Sequence, residues 1–98
     1  MAMEIFDNTL VRLQQSIDRA TKKQAVIAQN IANINNPDYE ALEFNEVLNK
    51  AVKRANNKVV LEDEMAALSK NSIEHSAYVK LFASKINILH TVVTQGKR

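Results

Sequence analysis

Residues 3–34 read MEIFDNTLVRLQQSIDRATKKQAVIAQNIANI. Within them Met3, Phe6, Leu10, Leu13, Ile17, Ala20, Gln24, Ile27, Ile31 and Ile34 follow one another at unbroken spacings of three and four. A mean step of about 3.5 residues, sustained over more than four heptads, is the pattern of a helix that offers one narrow seam to a partner helix. The spacing predicts an N-terminal helix over residues 1–36, with Asp7 and Asn8 as candidate caps for a later start. Pro37 closes the segment, because a proline disfavours helical geometry in the residue before it. Asn33, Asn35 and Asn36 suit a terminus better than a helix interior.

The partner lies in the same chain. Leu61, Met65, Leu68, Ser72, His75, Val79, Phe82, Ile86, Leu89 and Val93 repeat the rhythm and predict a C-terminal helix over 61–98. Glu62, Asp63 and Glu64 sit at the positive end of its dipole, Lys97 and Arg98 follow the negative end, and Gly96 is placed as a cap. At ~1.5 Å per residue each helix is about 50 Å long, which matches them as an antiparallel coiled-coil hairpin. In the connector, 37–60, Phe44, Val47, Leu48, Ala51 and Val52 fall on one face of a short helix with Asn45 as its cap. Asn56-Asn57 reads as a turn. The expected fold is all-α: two long antiparallel heptad-patterned helices joined by a connector with a short helix, one domain over residues 1–98.

Composition narrows the function. Ninety-eight residues allow one core at most. One Gly and one Pro, where average usage gives about seven and five, leave too few turn residues for sandwiches, barrels or Gly-rich phosphate loops. The absence of Cys excludes disulfide scaffolds, thiolate zinc sites and cysteine nucleophiles. Thirteen Lys and Arg against eleven Asp and Glu are spread evenly along the chain, without the one-signed basic face that nucleic acid requires. No run of 18 apolar residues is present, so no membrane insertion is expected. The N-terminus lacks the basic and apolar regions of a cleavable signal, so the chain is expected either to stay inside or to leave by a route that reads no such signal.

Catalytic, cofactor and metal sites find little support. His75 and His90 are fifteen residues apart, not the i, i+4 spacing of a helical metal pair. His75 falls in the seam and reads as a hydrogen-bonded core histidine, His90 as a surface one. Ser72 lies three residues before His75, but no acid and no strained nucleophile turn completes a triad. The acidic run 62–64 points around the helix axis instead of converging on an ion. Tyr39 and Tyr78 read as packing residues. A histidine phosphotransfer bundle is the enzymatic alternative, and a generic coiled-coil adaptor the other. The first needs an exposed His followed three residues later by Lys and then Gly, whereas Tyr78 and Val79 stand there.

The seam alone does not cover the apolar surface. Helix 1 carries a small-residue stripe, Ala25, Ala28 and Ala32, and helix 2 a second apolar stripe, Ile73, Ala77, Leu81, Ile88 and Val92. Contiguous exposed apolar surface marks an interaction site. Two coverings are open: the connector helix folded back into a three-helix bundle, or other subunits. The expectation is assembly.

At residues 28–39, Ala-Gln-Asn-Ile-Ala-Asn-Ile-Asn-Asn-Pro-Asp-Tyr, the chain resembles the signature that ends the first helix of bacterial flagellar axial proteins, roughly A-x-N-I-A-N-x-x-T-P-G-Y. Ala28, Asn30, Ile31, Ala32, Asn33, Pro37 and Tyr39 match; Asn36 stands for the Thr and Asp38 for the Gly. Val59 to Phe82, and Phe44 to Leu48, are similar to the corresponding segments of proximal rod proteins of the FlgB type, with a shorter middle region. The resemblance implies a structural subunit of the flagellar basal-body rod that transmits torque. It would be exported without a cleavable signal by the flagellar export apparatus and assembled in the periplasmic space with itself and with FlgC- and FliE-like proteins. The implied subunit contacts are Leu10, Leu13, Ile17, Ala25, Ala28, Asn30, Ile31, Ala32, Asn33, Pro37 and Tyr39 in the N-terminal part. In the C-terminal helix they are Met65, Leu68, Ile73, Ala77, Val79, Leu81, Phe82, Ile86, Ile88, Leu89 and Val92. Asn30 and Asn33 are expected to turn their amides to neighbouring backbones.

Overall fold

Long helices form where the 3.5-residue rhythm runs, and a β-hairpin forms between them. The computed structural model describes residues 2–56 and 58–96, with side chains described over 8–56 and 58–93. Helix α1 spans Ala2–Ala32, strand β1 Leu42–Asn45, strand β2 Lys50–Lys53, and helix α2 Leu61–Gly96. Helix α1 begins ahead of Asp7 and Asn8, so both lie inside it. Asn57, Lys97 and Arg98, and the side chains of Met3 and Phe6, fall outside what is described.

Helix α1 stops before the asparagines. The Ile34 N–H bonds the Ile31 carbonyl (3.3 Å), the Asn36 N–H the Asn33 carbonyl (3.0 Å), and the Tyr39 N–H the Asn36 carbonyl (3.1 Å). The Asn36 Oδ1 then accepts the Asp38 N–H at 3.1 Å, an Asx turn around Pro37. This turn uses no left-handed residue: among the described non-glycine residues only Asn49 has a positive φ, at 54°. The Asn36 side chain thus holds the turn where Asp38 replaces a glycine.

The helices pack antiparallel. Ile27 shares a groove with Ala67, while Ser16, earlier in α1, shares one with Tyr78, later in α2. Between those points the Asn71 amide donates to the Ala20 carbonyl at 2.8 Å.

The connector corrects the all-α expectation. Strands β1 and β2 pair antiparallel from Leu42↔Lys53 to Asn45↔Lys50, so no helix occupies Phe44–Val52. Asn45 does accept an N–H three residues ahead, that of Leu48 at 2.9 Å, but it closes a β-turn and not a helix. An isolated helix of this length is marginal in water, and so is an isolated hairpin. The choice goes to whichever form docks, and α1 offers the hairpin backbone partners. Leu42, Phe44 and Val52 are half-buried, while Val47 and Leu48 project at the turn, Val47 being 93% exposed.

The seam keeps its rhythm but shifts its phase. Ala20 and Ile27 are buried, and Leu10, Leu13, Ile17, Ile31 and Ile34 are half-buried, as are Leu68, His75, Phe82 and Leu89 on α2. However, Gln24, Leu61, Met65, Ser72, Val79, Ile86 and Val93 are exposed. The residues one position earlier face inward instead: Lys23 and Asn30 on α1, and Glu64, Asn71, Tyr78 and Lys85 on α2. The seam of α2 therefore runs 64, 68, 71, 75, 78, 82, 85, 89, again in alternating steps of four and three. Polar residues take half of it, and apolar ones that fit the other phase are left outside.

Candidate functional site

A buried side chain of α1 holds the hairpin backbone, and the Lys23 ammonium meets Glu46 of the hairpin turn at 3.5 Å. Asn30 is fully buried. Its Nδ2 donates to the Leu42 carbonyl at 2.8 Å, and its Oδ1 accepts both the Leu42 N–H at 3.0 Å and the Tyr39 hydroxyl at 2.7 Å. The amide imitates one rung of a β-ladder, so the first residue of β1 is paired on the side away from β2. Asn30 was expected to turn its amide to a neighbouring backbone, and within this chain that backbone is Leu42 of β1. Asn33 bonds the Gln29 carbonyl at 2.9 Å in its own helix, a terminating role.

A charged latch closes the other side of the connector. The Arg54 N–H bonds the Ala41 carbonyl at 2.8 Å, and its guanidinium meets the Glu64 Oε1 at 2.9 Å and the Lys58 carbonyl at 3.2 Å. Glu64 is buried at the start of α2, where the helix dipole also favours a carboxylate. Tyr39 lies within the field of both groups. Burial raises its hydroxyl pKa above the ordinary value, Arg54 pulls it down, and Glu64 pushes it up. Sequence reading placed Glu64 in the dipole run but missed the latch, since nothing in the spacing links residues 54 and 64 to Tyr39.

At mid-seam the polar residues join the helices. The Thr21 hydroxyl lies 2.9 Å from the Ile17 carbonyl, to which it donates, and 3.2 Å from His75 Nε2, with which it shares a hydrogen bond. His75 thus bridges the helices through its Nε2, half-buried in the seam, an arrangement that gives no support to an exposed phosphate-carrying histidine. Asn71 is buried with its Oδ1 unpaired. Among the described residues no three His, Asp or Glu side chains converge to hold a metal ion, and no helix is long and apolar enough to cross a membrane. The grooves between the helices and beside the hairpin are open.

What the site offers instead is surface. Ala25, Ala28 and Ala32 are exposed on α1, and Pro37 beyond it. On α2 so are Met65, Ile73, Ala77, Val79, Leu81, Ile86, Ile88 and Val92, with Ile73 at 68%. Of the other expected contact residues, Leu10, Leu13, Ile17, Ile31, Leu68, Phe82 and Leu89 are half-buried along the internal seam, and Tyr39, in the connector, turns its hydroxyl to Asn30. The chain measures 65 × 23 × 13 Å with a radius of gyration of 18.2 Å, against about 13 Å for a compact domain of this length.

No family model matches the chain. A curated relative, the flagellar basal body rod protein FlgB of Bacillus subtilis (strain 168), is 30% identical to it over 129 residues, a match that covers 97% of this chain and all of the relative. A chain of 98 residues spans that match only with internal gaps, so its interior is shorter than the relative's.

Proposed function

The chain belongs to the FlgB family of flagellar basal body rod proteins, and we propose from that premise that it builds the proximal rod by packing α1 and α2 against helices of neighbouring subunits. Its role in the flagellar rod is structural, not catalytic. The observation that carries the assembly reading is the apolar surface α2 leaves exposed on two sides, Val79 and Ile86 on one and Ile73, Leu81, Ile88 and Val92 on the other. A monomer that leaves this much apolar surface wet gains stability when others cover it. A pair of helices about 50 Å long, once packed among its neighbours, suits a part that passes torque along its axis.

The same reading extends to the route and the neighbours. A seam with polar residues at half its positions makes for a monomer that opens easily, which suits export in unfolded form through a narrow channel and folding at the assembly site. FlgC- and FliE-like basal-body proteins, and further copies of this chain, are the partners in that reading. The periplasmic space is the place of assembly, reached without a cleavable signal.

Deleting the chain from the bacterium that encodes it, and examining isolated basal bodies by mass spectrometry and electron microscopy, tests the proposal. The expected result is loss of the rod and of motility, restored by the wild-type chain and not by an Ile88→Asp/Val92→Asp variant. Complete rods in the deletion strain would overturn it.

A further inference from the structure

Helix α2 carries two sets of side chains that fit one rhythm. Leu68, His75, Phe82 and Leu89 belong to both sets and are half-buried. Four residues before each of them stand Glu64, Asn71, Tyr78 and Lys85, which now complete the seam; three before each stand Met65, Ser72, Val79 and Ile86, which are exposed. Successive residues lie about 100° apart around a helix, so the midlines of the two sets differ by about 50°. By side-chain type the present phase is the less favourable. Glu64 and Asn71 are buried, with the Asn71 Oδ1 unpaired, while Met65, Val79 and Ile86 face water.

We infer that α2 has a second packed position on α1, turned by about 50° around its own axis, and that the ion pair of Arg54 and Glu64 is the catch that holds it in the first. Room for the turn is present. An open trough of about 480 Å³ lies beside His75, bordered on α1 by Thr21, Gln24, Ala25 and Ala28. Ser72 and Val79, one helical turn to either side of His75, rotate toward it. The catch is placed to control that rotation. Arg54 is fixed in the connector, its N–H on the Ala41 carbonyl at 2.8 Å and its guanidinium on the Lys58 carbonyl at 3.2 Å, and it meets the Glu64 carboxylate at 2.9 Å. The connector is in turn tied to α1 through Asn30. The pair therefore sets the angle of α2 against α1, and the bond from Asn71 to the Ala20 carbonyl adds one neutral contact to the same phase. Once Glu64 is released, Glu64, Asn71 and Lys85 turn toward water, and Met65, Val79 and Ile86 leave it.

The surface that α2 presents then depends on the connector. In the held phase Val79 and Ile86 stand on one side of the helix pair; in the turned phase they are covered, and Glu64, Tyr78 and Lys85 emerge on the other side. A contact that draws Arg54 away from Glu64 thus exchanges an apolar row for a polar one along much of the helix. Its bearing on assembly rests on the reading of the chain as a rod subunit, whereas the two phases do not. The experiment uses the chain alone, so a failed switch leaves that reading standing.

The chain has no cysteine, so single thiols report the phase. Ser84→Cys, Lys85→Cys and Ile86→Cys are introduced one at a time into the full-length chain, with and without Arg54→Met/Glu64→Gln, and their alkylation by iodoacetamide is timed. The three are consecutive, so fraying of the helix affects them alike. With the catch in place the Ile86→Cys thiol should react faster than the Lys85→Cys thiol. Without it the order should reverse, the ratio of the two rates changing by about tenfold or more, while Ser84→Cys, on the outer side in both phases, keeps its rate. An unchanged ratio would overturn the switch. So would a rise of all three rates together, or loss of the helical circular dichroism, because either means that α2 comes loose instead of turning. A second measurement is independent of thiols. Ser72→Leu adds an apolar side chain that only the turned phase buries. It should raise the melting temperature of the Arg54→Met/Glu64→Gln chain by about 4 °C or more and leave that of the latched chain within about 1 °C. Equal shifts in both chains, or no shift in either, would overturn the proposal.

Discussion

Asn30 and Leu42 exchange two hydrogen bonds, the side-chain amide of the first acting as a strand partner for the backbone of the second, at 2.8 and 3.0 Å. A helix side chain thereby holds the edge of a sheet, and the Tyr39 hydroxyl locks the same oxygen at 2.7 Å. Asn30→Ala leaves the Leu42 N–H and carbonyl without their partner. At ~1–3 kcal/mol for each orphaned group, urea denaturation should show a loss of about 2–6 kcal/mol. A change below about 0.5 kcal/mol, the scale of an ordinary surface substitution, would mean that the hairpin docks by other means.

Asn71 sits in the seam at the opposite extreme, buried with its Oδ1 unpaired. Its one bond goes to the Ala20 carbonyl inside α1, which the helix ladder already engages. Asn71→Leu, close in size, should therefore be neutral or stabilising by up to about 1 kcal/mol. A loss of more than that amount in thermal or urea unfolding would show that the amide does more than the geometry indicates.

The latch between Arg54 and Glu64 predicts strong coupling. Removing one partner of a buried ion pair strands the other charge, at a cost of about 3–5 kcal/mol, more than the pair itself is worth. Arg54 is partly exposed, so Arg54→Met should fall at or below the lower end of that range. The Arg54→Met/Glu64→Gln double variant should recover part of the loss. Additive single effects in a double-mutant cycle would rule the latch out.

Tyr39 gives a pH dependence with a definite sign. Its pKa is raised in the folded state, chiefly by burial, so the folded chain holds the phenol proton more tightly than the unfolded one. The stability this provides is complete below the unfolded phenol's pKa near 10 and is lost as pH rises through the higher folded value. Unfolding midpoints measured from pH 8 to 11 should fall more steeply for the wild type than for Tyr39→Phe. Parallel curves would show that ionisation of Tyr39 does not contribute.

Val47 separates the two possible forms of the connector. On the expected helix it belonged to the packed face, whereas on the hairpin it stands at the turn almost wholly in water. Val47→Lys should change stability by no more than about 0.5 kcal/mol. Asn49→Val, which forces a β-branched residue to the positive φ of 54°, should cost about 1–2 kcal/mol. The reverse order of effects would favour the helix.

The amino-acid order by itself determined that two long helices form, where they run, and that they match in length. A step of 3.5 residues, with one Pro and one Gly at the margins, is a local property that each segment carries alone. It also determined that apolar surface would exceed what the pair hides, and the Asn30-to-Tyr39 motif made the family legible. The phase of the seam was beyond it, because Met65, Ser72, Val79 and Ile86 satisfy the rhythm as well as Glu64, Asn71, Tyr78 and Lys85 do. The connector was ambiguous for the same reason, its five apolar residues fitting a short helix face while the chain forms a hairpin. Only tertiary structure resolved both, through contacts between distant residues: Asn30 with Leu42, Arg54 with Glu64, Asn71 with Ala20. Backbone groups of the hairpin need partners once they leave water, and the rotation of the helices that supplies those partners turns polar side chains inward and leaves apolar ones exposed.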